Sequence, residues 1–230
     1  MNLTKIEVEK KLNEDTEPKK ISRLYQQDYI NFSGKTSDTH ELFYDIIAEY
    51  LFDHQACFNN ILEIPREYSY KSESHEELTK EQEASISKKL RGEEWFSRSL
   101  FNLEFDHIGK IIDYQTPIKG KKYENKVGKI DLLGYNKDKK MISMIELKLK
   151  NNNDTMLHSI LQICTYYLQI NKEKLKKDFL FPSSADIQKV ILLFKDSPQH
   201  KQYKNSKQIK LLTDKMNVEV LIFDTIITTP

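Results

Sequence analysis

GKIDLLGYNKDKKMISMIELKLK, residues Gly128–Lys150, reads as two β-strands folded back on each other about a turn between Asp138 and Lys139. Pairing outward from that turn sets Tyr135 against Ile142, Leu133 against Met144 and Asp131 against Glu146. Directly opposed residues of an antiparallel pair carry Cβ atoms about 5 Å apart, so the last pair puts two like charges in contact. Lys148 follows Glu146 by two positions and projects from the same face of its strand. Asp is depleted from strands, and here it interrupts the apolar run IDLLGY. Two carboxylates and an ammonium on one face predict a site for a hard divalent cation. The competing reading is an ordinary edge strand, with ELKLK alternating between core and water.

Around this hairpin the chain of 230 residues reads as α/β. Helical spacing of Leu42, Phe43, Ile46, Ile47, Tyr50 and Leu51 follows a capping box at Asp38 and Glu41 within a helical region over 21–62. The first twenty residues predict a frayed tail or a short helix. A second long helix is expected from a cap at Thr79, with Gln82, through Ile86, Leu90, Phe96 and Leu100 to Leu103. Strands are expected at Lys110–Ile118, Lys129–Tyr135 and Met141–Lys150, then a helix from Asp154 or Thr155 to Ile170. VILLF (190–194) and VEVLIF (218–223) suit strands buried on both faces, joined by a crossover helix. The division predicted is a helical extension over 1–78 and an α/β domain over 79–230.

Composition sets few limits. Lys and Arg number 36 against 35 Asp and Glu, so no global basic field marks a nucleic-acid binder, although a local groove can hide in a neutral total. Lys172–Lys177 and Lys201–Lys210 are the candidates for tracking a phosphate backbone, with solvated helix faces as the plainer reading. Cys57 and Cys164 are too few for a disulfide framework and fit a reducing compartment. The charged first segment lacks a signal-peptide core, and no apolar run nears the roughly 20 residues that span a bilayer. A soluble, cytoplasmic protein without membrane partners is expected.

Two flanking helices add to the hairpin. Glu93 shares the stripe of Ile86, Leu90, Phe96 and Leu100, where a carboxylate needs a partner, whereas Glu94 lies on a polar face. Gln162 and Tyr166 stand four apart on the following helix, with His158 one turn earlier on the same strip. Glu93, Asp131, Glu146-Leu147-Lys148 and Gln162-x-x-x-Tyr166, in that order, resemble the PD-(D/E)XK nuclease superfamily. The Gln-x-x-x-Tyr element is similar to that of its RecB-like and Cas4-like branches. The resemblance covers Thr79–Phe223.

It implies a restriction-endonuclease-like fold, a mixed β-sheet flanked by helices, here with an α-helical N-terminal extension. It implies a Mg²⁺-dependent DNA nuclease, an endonuclease, that hydrolyses phosphodiesters with an activated water and leaves a 5′-phosphate and a 3′-hydroxyl. Mn²⁺ would substitute for Mg²⁺. Glu93, Asp131, Glu146 and the Leu147 carbonyl would bind the metal, Lys148 would serve the attacking water, and Gln162 and Tyr166 would support the site or substrate. Ile130 stands where the motif has Pro, and no cysteine cluster accompanies it. The N-terminal helices would recognise DNA, form a homodimer or dock a partner protein. The alternatives are a non-catalytic binding module on the same fold and a nuclease that cuts RNA.

Overall fold

A computed structural model describes residues 1–72, 92–120 and 128–224. The chain is α/β, with a six-stranded mixed sheet flanked by helices. Strands β1 (Glu104–Phe105), β2 (Gly109–Pro117), β3 (Lys129–Asn136), β4 (Met141–Lys148), β5 (Asp186–Phe194) and β6 (Val218–Phe223) lie in that order across it. The first four form an antiparallel meander.

The remaining strands run parallel to β4. The Asp186 N–H at the start of β5 donates to the Lys140 carbonyl just before β4, at 2.9 Å. Lys195, just past β5, donates to the Phe223 carbonyl at the end of β6, also at 2.9 Å. Parallel neighbours need long crossovers. These are the helices α4 (Met156–Gln169) and α5 (Lys172–Asp178) before β5, and α6 (Pro198–Asn205) and α7 (Lys207–Lys215) before β6. The sequence predicts one crossover helix between the last two strands; Ser206 splits it, capping α7 by accepting the Ile209 N–H at 3.0 Å.

The hairpin register agrees with the sequence reading at Tyr135–Ile142 and Leu133–Met144. The apolar VILLF run of β5 is buried over Val190–Leu193. VEVLIF differs from expectation: β6 ends the sheet order, and Ile222 and Glu219 are exposed. An edge strand has one open flank and cannot be covered like an interior one.

The chain folds into two compact units, one of residues 1–62, 148–168 and 191–230, the other of residues 63–147 and 169–190. The predicted boundary at 78/79 falls outside the described residues. In the first unit, α1 (Lys5–Asp15) opens with a capping box between Thr4 and Glu7 and buries Val8 and Leu12. Between 21 and 62 only α2 (Phe43–Asp53) is α-helical, with 3₁₀ turns at Ile21–Gln26 and Gln55–Asn60. Asp38 and Glu41 do not cap it. Asp38 accepts the Lys5 N–H at 3.0 Å and Glu41 takes the Lys5 ammonium at 3.1 Å, so both serve the start of α1. The apolar face of α2 packs on α7.

In the second unit, α3 (Glu93–Ser99) packs on β2 and β3. Thr79, Gln82, Ile86 and Leu90 of the expected long helix lie outside the described residues. That helix does not run unbroken to Leu103. Gly92 takes φ 58° and ψ −123°, open to glycine and not to helix, so Glu93 is the first residue of α3.

Candidate functional site

The hairpin's polar residues are not on a solvated edge. β4 lies between β3 and β5, and Glu146 is 1% exposed and Lys148 3% exposed. Burying an ion costs several kcal/mol unless it is paired or coordinated. The competing reading of ELKLK as surface alternation is therefore wrong for these two residues; only Lys150 is open to water.

The registered β3–β4 pairs end at Leu132–Ile145. One step further, the same register opposes Asp131 to Glu146. There the Asp131 side chain replaces a main-chain acceptor, with Oδ2 taking the Leu147 N–H at 2.9 Å. Oδ1 accepts Gln115 Nε2 at 3.1 Å.

Gln115 lies across from Asp131 on β2, after a register shift between Ile111 and Asp113, and holds φ at 51°. The left-handed region is costly for a residue with a Cβ, and such strain concentrates at functional sites. Asp113, opposite Leu133, shares the face of Asp131 and is 1% exposed, with Thr116 Oγ1 donating to its Oδ2 at 2.6 Å. Sequence reasoning missed Asp113 and Gln115, because neither a bulge nor a left-handed glutamine has a local signal in this strand. Glu93 is half-buried at the head of α3, where the helix dipole favours a carboxylate.

The lysine end of β4 belongs to the other unit and has its own network. Lys148 Nζ donates to Asp154 Oδ2 at 2.9 Å. Asp154 Oδ1 accepts Asn31 Nδ2 at 3.3 Å, and the Asp154 carbonyl accepts Gln199 Nε2 at 2.7 Å. Burial raises the Asp154 carboxyl, but the charge and hydrogen bond of Lys148 outweigh it and hold it below the usual range.

Thr155 caps α4, accepting the His158 N–H at 3.1 Å and donating to the Ile30 carbonyl at 2.7 Å. His158 Nδ1 lies 3.7 Å from Asp154 Oδ2. Its imidazole is pushed down to about 4, first by burial and then by the Lys148 charge, against the pull of Asp154. On the strip below, Tyr166 is buried and Gln162 is half-buried. Tyr25 meets His158 edge-on at 5.9 Å and Tyr166 at 5.6 Å, tying both ends of the strip to the N-terminal segment.

Mg²⁺ is satisfied by one or two carboxylates, with water and phosphate oxygens completing an octahedron. Asp131 accepts the Leu147 N–H on Oδ2 and Gln115 Nε2 on Oδ1, which fixes the orientation of its carboxylate. Asp131 and Glu146 thus fit a hard divalent cation in number and type. Among the described residues no group of three or more His, Cys, Asp and Glu side chains is placed to hold a metal ion by itself.

The two basic segments are partly engaged locally. Lys174 pairs with Asp178 and Lys176 with Glu173, each at 3.3 Å, while Lys210 Nζ donates to the Lys204 carbonyl at 2.7 Å. Among the described residues no helix is long and apolar enough to cross a membrane. No protein-family model, curated protein or solved structure matches this chain.

Proposed function

We propose that the chain is a metal-dependent DNA nuclease of restriction-endonuclease-like fold, acting in the cytoplasm as an endonuclease. One observation carries the reading: Glu146 and Lys148 are buried two residues apart on an interior strand, where apolar side chains would cost far less. The sheet order and the parallel crossovers that follow β4 are compatible with it.

Asp131 and Glu146, with the Leu147 carbonyl and Glu93, would hold Mg²⁺ or Mn²⁺. Bound there, the ion supplies Lewis-acid polarisation of a phosphate and its attacking water. The chain's own residues do the rest. Lys148 offers Nζ–H donors that orient water and neutralise charge on the phosphate oxygens. Gln115 and the Leu147 N–H fix both oxygens of Asp131, so the carboxylate need not reorganise when substrate arrives. Gln162 and Tyr166 would support the substrate side of α4, and the N-terminal helices would contact DNA, a second copy or a partner protein.

The Lys148–Asp154 ion pair favours one other reading, a non-catalytic binding module in which the lysine is structural. Incubating the purified chain with matched DNA and RNA oligonucleotides, with Mg²⁺, Mn²⁺ or EDTA, separates the cases. The nuclease reading requires metal-dependent cleavage of DNA leaving 5′-phosphates. Cleavage of RNA alone reassigns the substrate, and intact oligonucleotides of both kinds reject the enzyme.

A further inference from the structure

We infer that Asp154 is the positioning residue that sets the Lys148 ammonium for the reaction; this rests on the nuclease reading. A lysine has four rotatable bonds and loses up to about 2 kcal/mol of rotamer freedom when fixed. Here it is fixed in advance. Asp154 meets Nζ at 2.9 Å and is itself held from three sides. Its N–H donates to Asn152 Oδ1 at 2.7 Å, its carbonyl accepts Gln199 at 2.7 Å, and its Oδ1 accepts Asn31 at 3.3 Å.

Gln199 is fully buried, and Asn31 is itself anchored through Oδ1, which accepts the Thr155 N–H at 3.0 Å. The carboxylate is thus the rigid partner and the lysine the flexible one. His158 stays neutral near pH 7 and brings no second cation to Asp154, leaving its charge to Lys148. Stability alone gives such an arrangement little reason, since a buried ion pair often returns no more than its desolvation costs. Preorganisation of a reacting group does give a reason, because small misplacements can lower rates by as much as about 100-fold.

The test is a rate cycle. Asp154→Asn should lower kcat for DNA cleavage by about 10- to 100-fold, leave KM within about two-fold, and have no further effect in a Lys148→Ala background. Asp154→Glu should recover part of the rate. An equal loss in the Lys148→Ala background, or a loss confined to KM, overturns the inference. If Asp154→Asn does not fold, Asp154→Glu is judged by the same cycle, with a smaller loss that vanishes in Lys148→Ala.

A chain that cleaves nothing rejects the nuclease reading, and with it any catalytic task for Lys148. Whether Asp154 holds the lysine is read separately by ¹⁵N-lysine NMR. Slowly exchanging Lys148 Nζ protons should be seen in wild type and lost in Asp154→Asn. Their persistence in Asp154→Asn overturns the positioning claim whatever the activity.

Discussion

Asp131 Oδ2 accepts the backbone N–H of Leu147 at 2.9 Å, so a carboxylate of β3 closes the ladder where a main-chain carbonyl would otherwise stand. Asp131→Ala strands that N–H inside the sheet, at a cost of about 1–3 kcal/mol. Asp131→Asn keeps an oxygen acceptor and should stay within about 1 kcal/mol of wild type while removing the charge a metal needs. Urea denaturation compares the two, and a larger loss for Asn than for Ala contradicts this role.

Gln115 combines a left-handed backbone with a hydrogen bond to Asp131. Gln115→Ala loses the bond and keeps the strain, whereas Gln115→Gly loses the bond and relieves it. The glycine variant should therefore be the more stable of the two by about 1 kcal/mol. Thermal melts of both variants check the order, which reverses if the φ of 51° carries no strain.

The fate of His158 is readable in pH. Its folded-state value is about 4, below the ordinary 6.5, so the unfolded chain takes up a proton between those values and the native chain does not. Stability is therefore whole above pH 6.5 and falls as pH drops from 6.5 towards 4, by at most about 3 kcal/mol. Asp154, depressed below the usual carboxylate range, loses its contribution only at lower pH. His158→Gln should flatten the wild-type slope between pH 6.5 and 4.5, measured by urea midpoints; an unchanged slope assigns it to other groups.

The hairpin is legible in the sequence because a side-chain period of two leaves no freedom. Once the turn is placed between Asp138 and Lys139, every opposed pair follows. Burial is not legible there. ELKLK has the same alternation on an edge as in an interior, and only the arrival of β5 beside β4 decides between them. The partner of Lys148 is hidden for a related reason. Asp154 sits beyond a run of asparagines with no period, and its position reads equally well as a helix cap, a task that Thr155 performs. At Glu93 the apolar spacing runs on through Gly92, whereas the backbone there turns to φ 58° and α3 begins only at Glu93.

A divalent ion that binds the native chain and not the unfolded one should raise its melting temperature. At about 100 times its dissociation constant the stabilisation is about 2.7 kcal/mol. Mn²⁺ should shift the wild-type melt upward and leave Asp131→Asn unmoved, by differential scanning calorimetry. An equal shift in both places the ion elsewhere.

The most direct test of the nuclease assignment is the rate of supercoiled plasmid cleavage in Mg²⁺ by wild type and Lys148→Ala, each verified as folded by circular dichroism. Wild type should nick and linearise the plasmid, and the variant should be slower by about 100-fold or more, the scale on which removing one group that stabilises developing charge acts. No cleavage by wild type, or equal cleavage by the two proteins, contradicts the assignment.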